Sequence, residues 1–475
     1  MRKIVLGVAA TRRNVFDTKE AARYKDSILK KLRTYDDIEI VDIDDINAEG
    51  LLFDEKDLDA VVNKFIRSNV DGVFFPHVNF GTEFLVAKAA RKIGKPVLLW
   101  GPRDDAPLPD GVRTRDTQCG LFASGKILRR MGVPFTYITN CHADDRQFEN
   151  GLKLFTAVCG VVRAFRRIKI LQISTRPAPF WTMIVNEGEL LERFGVEICP
   201  ISLTELLMGM DRVIAENGGE YKDTIEKIRC MNCETLNGTD RVSKIAAMKV
   251  YIKEMAEKNN CTAVSMQCWS AMQDAISLMP CVTNGLLFDE GLPSICETDI
   301  HGAISSIMLQ EAVRRTSPIF FADLTIRHPD NNNAELLWHC GNFPASVAKE
   351  PQKVEIGRNF IMPSHAPGIG NWELKPGDIT ICRFDGDNGE YKLFMGQGKA
   401  VAGPGTMGTY VWFEVPDWEK WEYQLVTGPY VHHVAAAYGS ACAVLYEACK
   451  YIPGLIPDPA QPIREEIENY LIRFL

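Results

Sequence analysis

Apolar and polar positions fall into two alternating rhythms over the first 165 residues. Short apolar runs at 3–10, 38–43, 71–76 and 96–100 have strand length. The stretches 18–32, 55–68 and 84–93 instead space their apolar side chains at helical intervals, with Lys and Glu outward. Strand and helix in alternation predict a parallel, doubly wound sheet. A second series of the same kind starts at 168–173 and continues through runs at 194–199, 262–267, 293–296 and 319–322. After about residue 345 the texture changes. Lys375-Pro-Gly-Asp leads into short β-like runs at 379–384 and 391–395, separated by Asp385-Gly-Asp-Asn-Gly, the spacing of an antiparallel barrel or sandwich. A helix is expected over 435–450 and a last short one from Arg464. The expected fold class is α/β: two doubly wound Rossmann/flavodoxin-like domains, 1–165 and 166–348, then a C-terminal antiparallel β-barrel-like domain, 349–475.

Two of these runs end on acids. Cys-Glu-Thr-Asp-Ile-His-Gly-Ala (296–303) places Glu297 after one run, and Phe-Phe-Ala-Asp places Asp323 after the next. A helical pattern over 302–314 lies between them. Strand, helix and strand read as one βαβ unit, which would bring both carboxylates to the same sheet edge, where ligands of open α/β sheets gather. Two acids on one rim suit either a divalent ion or a proton-transfer pair. Of the eight histidines, His77, His142, His301, His328 and His365 sit in loop-like contexts and read as structural. His339 ends a run and opens a Cys-Gly-Asn turn, and His432-His433 leads into the helix expected after it. Imidazole with carboxylates suits Mn²⁺, Zn²⁺ or Fe²⁺, whereas an all-oxygen set favours Mg²⁺ or Ca²⁺. Taken singly, each residue has a plainer explanation. Glu297 near a helix start gains about 0.3–1 kcal/mol as a dipole partner, Asp323 fits an Asx-turn, and His433 fits a buried or capping role.

Composition narrows the class. A chain of 475 residues is too long for one core, so two or three domains are expected. A formal charge of -8 with no basic stripe argues against nucleic-acid binding. No apolar run of about 18 residues exists and the N-terminus reads as a first strand, so neither a membrane span nor a signal peptide is expected and a cytoplasmic location follows. The fourteen cysteines lie mostly in apolar runs, as buried reduced thiols do, and Cys230-Met-Asn-Cys233 has no second pair beside it. The first strand is not followed by G-x-G-x-x-G, and the chain has no Walker A motif, which argues against a nucleotide-binding enzyme.

Glu297, Asp323 and His433, in that order and with Phe-Ala-Asp around the second, resemble the metal site of the L-fucose isomerases. With His339 added, the set is similar to the four ligands of the L-arabinose isomerases. Glu-Thr-Asp-Ile-His-Gly-Ala, His-Cys-Gly-Asn, His-His-Val-Ala-Ala-Ala-Tyr-Gly and Lys-Pro-Gly-Asp-Ile-Thr also carry the likeness, which spans the whole chain. The resemblance implies a shortened member of that superfamily, using Mn²⁺ or another divalent ion held by Glu297, Asp323, His433 and His339. It implies aldose–ketose isomerisation of an L-fucose- or arabinose-type sugar through a cis-enediol, with Glu297 and Asp323 as proton carriers. It also implies a homo-oligomer, a hexamer with active sites at subunit contacts. Arg13 resembles a first-loop arginine that reaches substrate from a neighbouring subunit, and Gln267 resembles a substrate-binding glutamine. His432 stands at a substrate-contact position where fucose isomerases carry Asn. Two alternatives accompany this reading: an isomerase of a modified sugar such as sulfoquinovose, its sulfonate met by Arg12, Arg13 and Arg103, or a non-catalytic sugar-binding relative.

Overall fold

Five parallel strands form the first sheet: β1 (Ile4–Val8), β2 (Ile38–Val41), β3 (Gly72–Pro76), β4 (Val97–Trp100) and β5 (Thr136–Tyr137), in the order 2-1-3-4-5. The computed structural model describes residues 2–361 and 365–474, which divide into two units. The first unit holds the residues up to 163 together with Tyr446–Pro453 and those from Glu465 on. β1, β3 and β4 are buried along their whole length, as strands covered on both faces must be. The helix Thr18–Leu32 starts where the pattern puts it, with the Asp17 side chain accepting the N–H groups of Lys19 and Glu20.

The second unit contains two sheets. β6 (Lys169–Ile173), β7 (Glu197–Ile201), β8 (Ala263–Met266) and β9 (Ser294–Ile295) are parallel, in the order 7-6-8-9. The other sheet has nine strands: β10 (Phe320–Arg327), β11 (Ala334–His339), β12 (Glu355–Arg358), β13 (Pro367–Glu373), β14 (Asp378–Asp387), β15 (Glu390–Val401), β16 (Thr409–Glu414), β17 (His433–Tyr438) and β18 (Leu455–Gln461). Six of them, in the order 16-11-10-17-14-15, are antiparallel to their neighbours, and β15 pairs back onto β16 through Lys399–Glu414, Ala400–Phe413 and Val401–Trp412. These six strands therefore close on themselves, around Phe320, Leu337, Phe394, Val411, Phe413 and Val434. β13 and β18 extend the sheet by parallel pairing.

The molecule is thus a mixed α/β protein with two parallel-sheet units and one large mixed sheet. Three expectations need correction. β9 and β10 are not neighbours in one βαβ unit, because the helix Ile300–Ala312 carries the chain out of the parallel sheet into the nine-stranded one. The expected boundary at 348/349 falls inside that sheet, after β10 and β11. The helix expected over 435–450 is strand β17 followed by a helix only at Cys442–Cys449. Alanines favour helix by propensity, but here Ala435–Ala437 form part of a strand bonded on both sides. Their small side chains also let the helix Ile300–Ala312, buried at every position, lie against that strand. Among the described residues no helix is long and apolar enough to cross a membrane.

Candidate metal and active site

The turn after β9 sets the first acid. Glu297 and Thr298 both adopt left-handed backbone, φ 64° and 57°, a conformation that costs of order 1 kcal/mol or more for residues with a Cβ. Thr298 Oγ1 anchors it by donating to Thr175 O at 3.1 Å. The next residue, Asp299, caps the buried helix Ile300–Ala312, its Oδ1 accepting Gly302 N–H at 2.8 Å. The dipole role open to Glu297 is therefore filled by Asp299, and Glu297 is free to face the site.

Register sets the second acid. In the β10–β17 pair Asp323 stands directly opposite His433, and in the β10–β11 pair opposite Trp338, the neighbour of His339. Side chains directly across an antiparallel pair lie about 5 Å apart at Cβ, so Asp323 and His433 meet without help from any loop. His433 Nε2 lies 3.3 Å from Glu297 Oε2 and 3.3 Å from Asp323 Oδ1, and His339 Nε2 lies 3.9 Å from Asp323 Oδ1. The ligand atoms of Glu297, His339 and His433 fall within 4.8 Å of one another, as do those of Asp323, His432 and His433. Bonds of about 2.1 Å to one ion would draw such a set only slightly closer.

Three of these atoms, His433 Nε2, His339 Nε2 and Asp323 Oδ1, are buried without a hydrogen-bond partner. Buried polar atoms are rarely orphaned, and three converging on one point have the chemistry of a divalent-ion site. Burial pushes the Glu297 carboxyl up from its usual range, although His433 opposes this. Burial would push His433 down, but its bond to Asp299 and the nearby Glu297 and Asp323 carry it up to about 10. Three carboxylates, Glu297, Asp299 and Asp323, around one buried imidazole make a place that favours positive charge.

The two histidines differ in readiness. His433 Nδ1 donates to Asp299 Oδ2 at 2.9 Å, so Nε2, facing Glu297 and Asp323, is the nitrogen that an ion would take in exchange for its proton. His339 Nδ1 instead accepts Cys340 N–H at 2.9 Å. That network assigns the ring proton to Nε2, so His339 could join as a fourth ligand only by giving up the Cys340 bond.

Behind His433 runs a buried chain of charge that sequence reasoning did not find. Asp299 Oδ2 also receives the Arg383 guanidinium, Arg383 Nε donates to Asp385 Oδ2 at 2.8 Å, and Asp385 Oδ1 meets His301 Nδ1 at 2.8 Å. Burial works against an ionised Asp299, but Arg383 and His433 hold its carboxyl well below the usual range. His301, read from sequence as a loop residue, sits in the buried helix. Arg383 and Asp385 share one face of β14 by the two-residue period, the only sequence signal that the pair belongs together. Because Asp299 fixes the tautomer of His433, a candidate ligand, Asp299→Asn is expected to weaken divalent-ion binding by about 10–100-fold. Electron paramagnetic resonance of free Mn²⁺ measures this, and an unchanged affinity would separate Asp299 from the site.

Of the remaining sequence candidates, His432 joins the cluster and Gln267 lies in the segment beside it, whereas the arginines belong to the first unit. Gln267 follows β8, its Oε1 accepting Ser174 Oγ at 2.8 Å, and the adjoining Cys268 thiol bonds Cys296. His432 keeps an exposed surface, but partial burial and then the neighbouring His433 push its ring down to about 4. Arg13 belongs to the first unit, where it pairs with Glu83 and lies 4.1 Å from the Phe80 ring centroid. Arg12 is buried and committed to Glu49 by two hydrogen bonds of 2.6 and 2.7 Å, which removes it as a free anion contact.

Known proteins share this arrangement of sequence. Residues 7–166 match the family described as fucose/sulfoquinovose isomerase, N-terminal domain, and residues 337–454 match L-fucose isomerase, C-terminal domain. The chain belongs to the fucose-isomerase-like family. It is 25% identical to a sulfoquinovose isomerase of Priestia megaterium (strain ATCC 12872 / QMB1551), over 85% of this chain and 88% of that one. It is also 25% identical to a sulfoquinovose isomerase of Alkalicoccus urumqiensis, over 74% and 77% of the two chains.

Proposed function

We propose that this protein is a metal-dependent aldose–ketose isomerase whose sugar is sulfoquinovose or a close 6-sulfonated relative. The observation that carries the reaction class is the convergence of Glu297, Asp323 and His433 with three orphaned buried atoms among the cluster. The ordering of substrates rests on the relatives: those that match are sulfoquinovose isomerases, so the L-fucose- or arabinose-type sugar expected first becomes the second reading.

Glu297, Asp323 and His433 would hold the ion, Mn²⁺ by family resemblance, with His339 within reach. When bound, such an ion supplies positive charge that stabilises an enediolate and lowers the pKa of a sugar hydroxyl. The protein's own part is proton transfer between C1 and C2 of the open-chain sugar. Glu297, its carboxyl raised by burial, suits removal of the carbon proton and its return to the neighbouring carbon. Asp323, at the rim with its side chain 15% exposed, suits the hydroxyl proton. The helix Ile300–Ala312 and the closed sheet keep bulk water from the back of the site. Gln267 and His432 are the proposed substrate contacts in this unit. Arg13 is the proposed contact from a second copy, in an assembly expected to be hexameric and cytoplasmic. Of the three arginines expected at the sulfonate, Arg12 is committed to Glu49 and Arg13 pairs with Glu83, so the exposed Arg103 is the first proposed contact.

Chelator-stripped protein, reloaded with Mn²⁺, is expected to convert sulfoquinovose to its ketose with kcat/KM at least tenfold above that for L-fucose, and Arg103→Ala is expected to erase the preference. Turnover of L-fucose or an arabinose alone would restore the second reading. Tight sugar binding without turnover of any aldose, metal present, would leave only a binding protein.

A further inference from the structure

One end of the closed six-stranded sheet is not filled. Where β10 ends and β11 begins, under the helix Trp418–Thr427, lies a cavity of about 310 Å³ walled by Leu324, Arg327, Glu335, Trp418, Leu425 and His432. Glu335 points inward with Leu337, two residues along the same strand. It is only 5% exposed, and its Oε2 has no hydrogen-bond partner among the described residues. The charged groups around it do not neutralise it. Arg327 donates to Asn332 O at 3.0 Å and stands 3.8 Å from Glu422 rather than reaching Glu335. Tyr430, on the same wall, donates its hydroxyl to Asp458 and not to Glu335. Two carboxylates thus face one guanidinium that already has partners. Burial first, then Glu422, pushes the Glu335 carboxyl up to about 7 against the pull of Arg327.

We propose that this cavity is a binding site for a small organic cation, its ammonium on Glu335 and its apolar body against Leu324, Ile326, Leu425 and Val426. Mouths of β-barrels are recurrent ligand sites, apolar with a few placed polar groups. A buried carboxylate without a partner is among the costliest groups a fold can keep, and a cation is the ligand that relieves it. A bare metal ion fits poorly at Glu335, which belongs to no group of three ligating side chains among the described residues. A sulfonate or phosphate would meet Glu335 and Glu422 head-on. His432 borders both this cavity and the isomerase site, but Glu335, which carries the proposal, belongs to neither the ligand set nor the substrate contacts proposed there.

Cyclohexylamine and cyclohexanol, equal in shape and different in charge, are the probes, titrated calorimetrically into the full-length protein at pH 8. The amine is expected to bind at least tenfold more tightly than the alcohol, and Glu335→Gln is expected to abolish that ratio while leaving Mn²⁺ affinity unchanged. Glu335 is ionised above about pH 7, and below it a proton must leave before the amine binds. Amine affinity should therefore fall about tenfold per pH unit on going down from 7, and stay level above it. Val426→Trp, at an exposed wall position, is expected to exclude both probes by filling the cavity. Equal affinity for amine and alcohol would overturn the proposal, as would amine binding that survives Glu335→Gln or no amine binding at all.

Discussion

Glu297→Gln is expected to lower the rate of ketose formation by about 10²–10⁴-fold with Mn²⁺ present, without unfolding the protein. The substitution keeps the shape of the side chain on its left-handed turn, so the strained backbone and the Thr298 anchor to Thr175 remain. What disappears is the one carboxylate near the cluster that burial drives up towards useful basicity. An amide cannot accept the carbon proton, and it offers an ion one neutral oxygen in place of a charge. Stability should hold or rise, because a buried acid disfavoured by its surroundings is replaced by a neutral group. Initial rates, a Mn²⁺ titration and thermal unfolding of the same preparation separate the effects. Wild-type turnover in this variant would remove Glu297 from the reaction.

The largest effect on stability is expected at Arg383, in the second unit and away from the reacting atoms. Its guanidinium is 1% exposed and lies between Asp299 and Asp385. Arg383→Met leaves two buried carboxylates facing each other, and breaking a buried pair in this way costs about 3–5 kcal/mol. Urea unfolding measures it. The sign of its pH dependence follows from the carboxyls. In the wild type, Asp299 and Asp385 are held below their ordinary range, so their stabilisation is fully present above about pH 4 and lost as pH falls further. In the variant both acids resist ionisation, and stability falls as pH rises. The gap between the two proteins is therefore widest at neutral pH and narrows towards pH 4. Adding Asp385→Asn to the variant should recover part of the loss, and a double-mutant cycle tests the coupling. A gap independent of pH would mean that Arg383 acts by packing alone.

Much of this was legible in the chain, for reasons that can be traced. Strands β1, β3 and β4 are apolar from end to end, so length and composition suffice to find them. Glu297, Asp323, His339 and His433 each follow a recognisable motif, and the structure brings the four together. How they meet was not legible. A βαβ unit would have delivered both acids by parallel strands, whereas Asp323 arrives through antiparallel pairing with His433. That pairing was hidden because Val-Ala-Ala-Ala after His433 reads as helix to any local rule, and only bonding to β10 and β14 makes it a strand. The Asp299, Arg383, Asp385 and His301 chain left almost no trace, since charge burial is decided by partners far away in sequence. The tautomer of His339 turns on a single backbone N–H.

The closure of β16, β11, β10, β17, β14 and β15 into a ring has a kinetic meaning as well. Asp323 and His433 face each other only once β17 has been laid between β10 and β14, and β17 comes late in the chain. Pairings of such long sequence separation are the slow part of folding. The pocket proposed for an ion is therefore expected to form late in assembly rather than to nucleate it. An ion in the refolding buffer would act as a latch on a finished ring: it would slow unfolding and leave the rate of folding almost untouched.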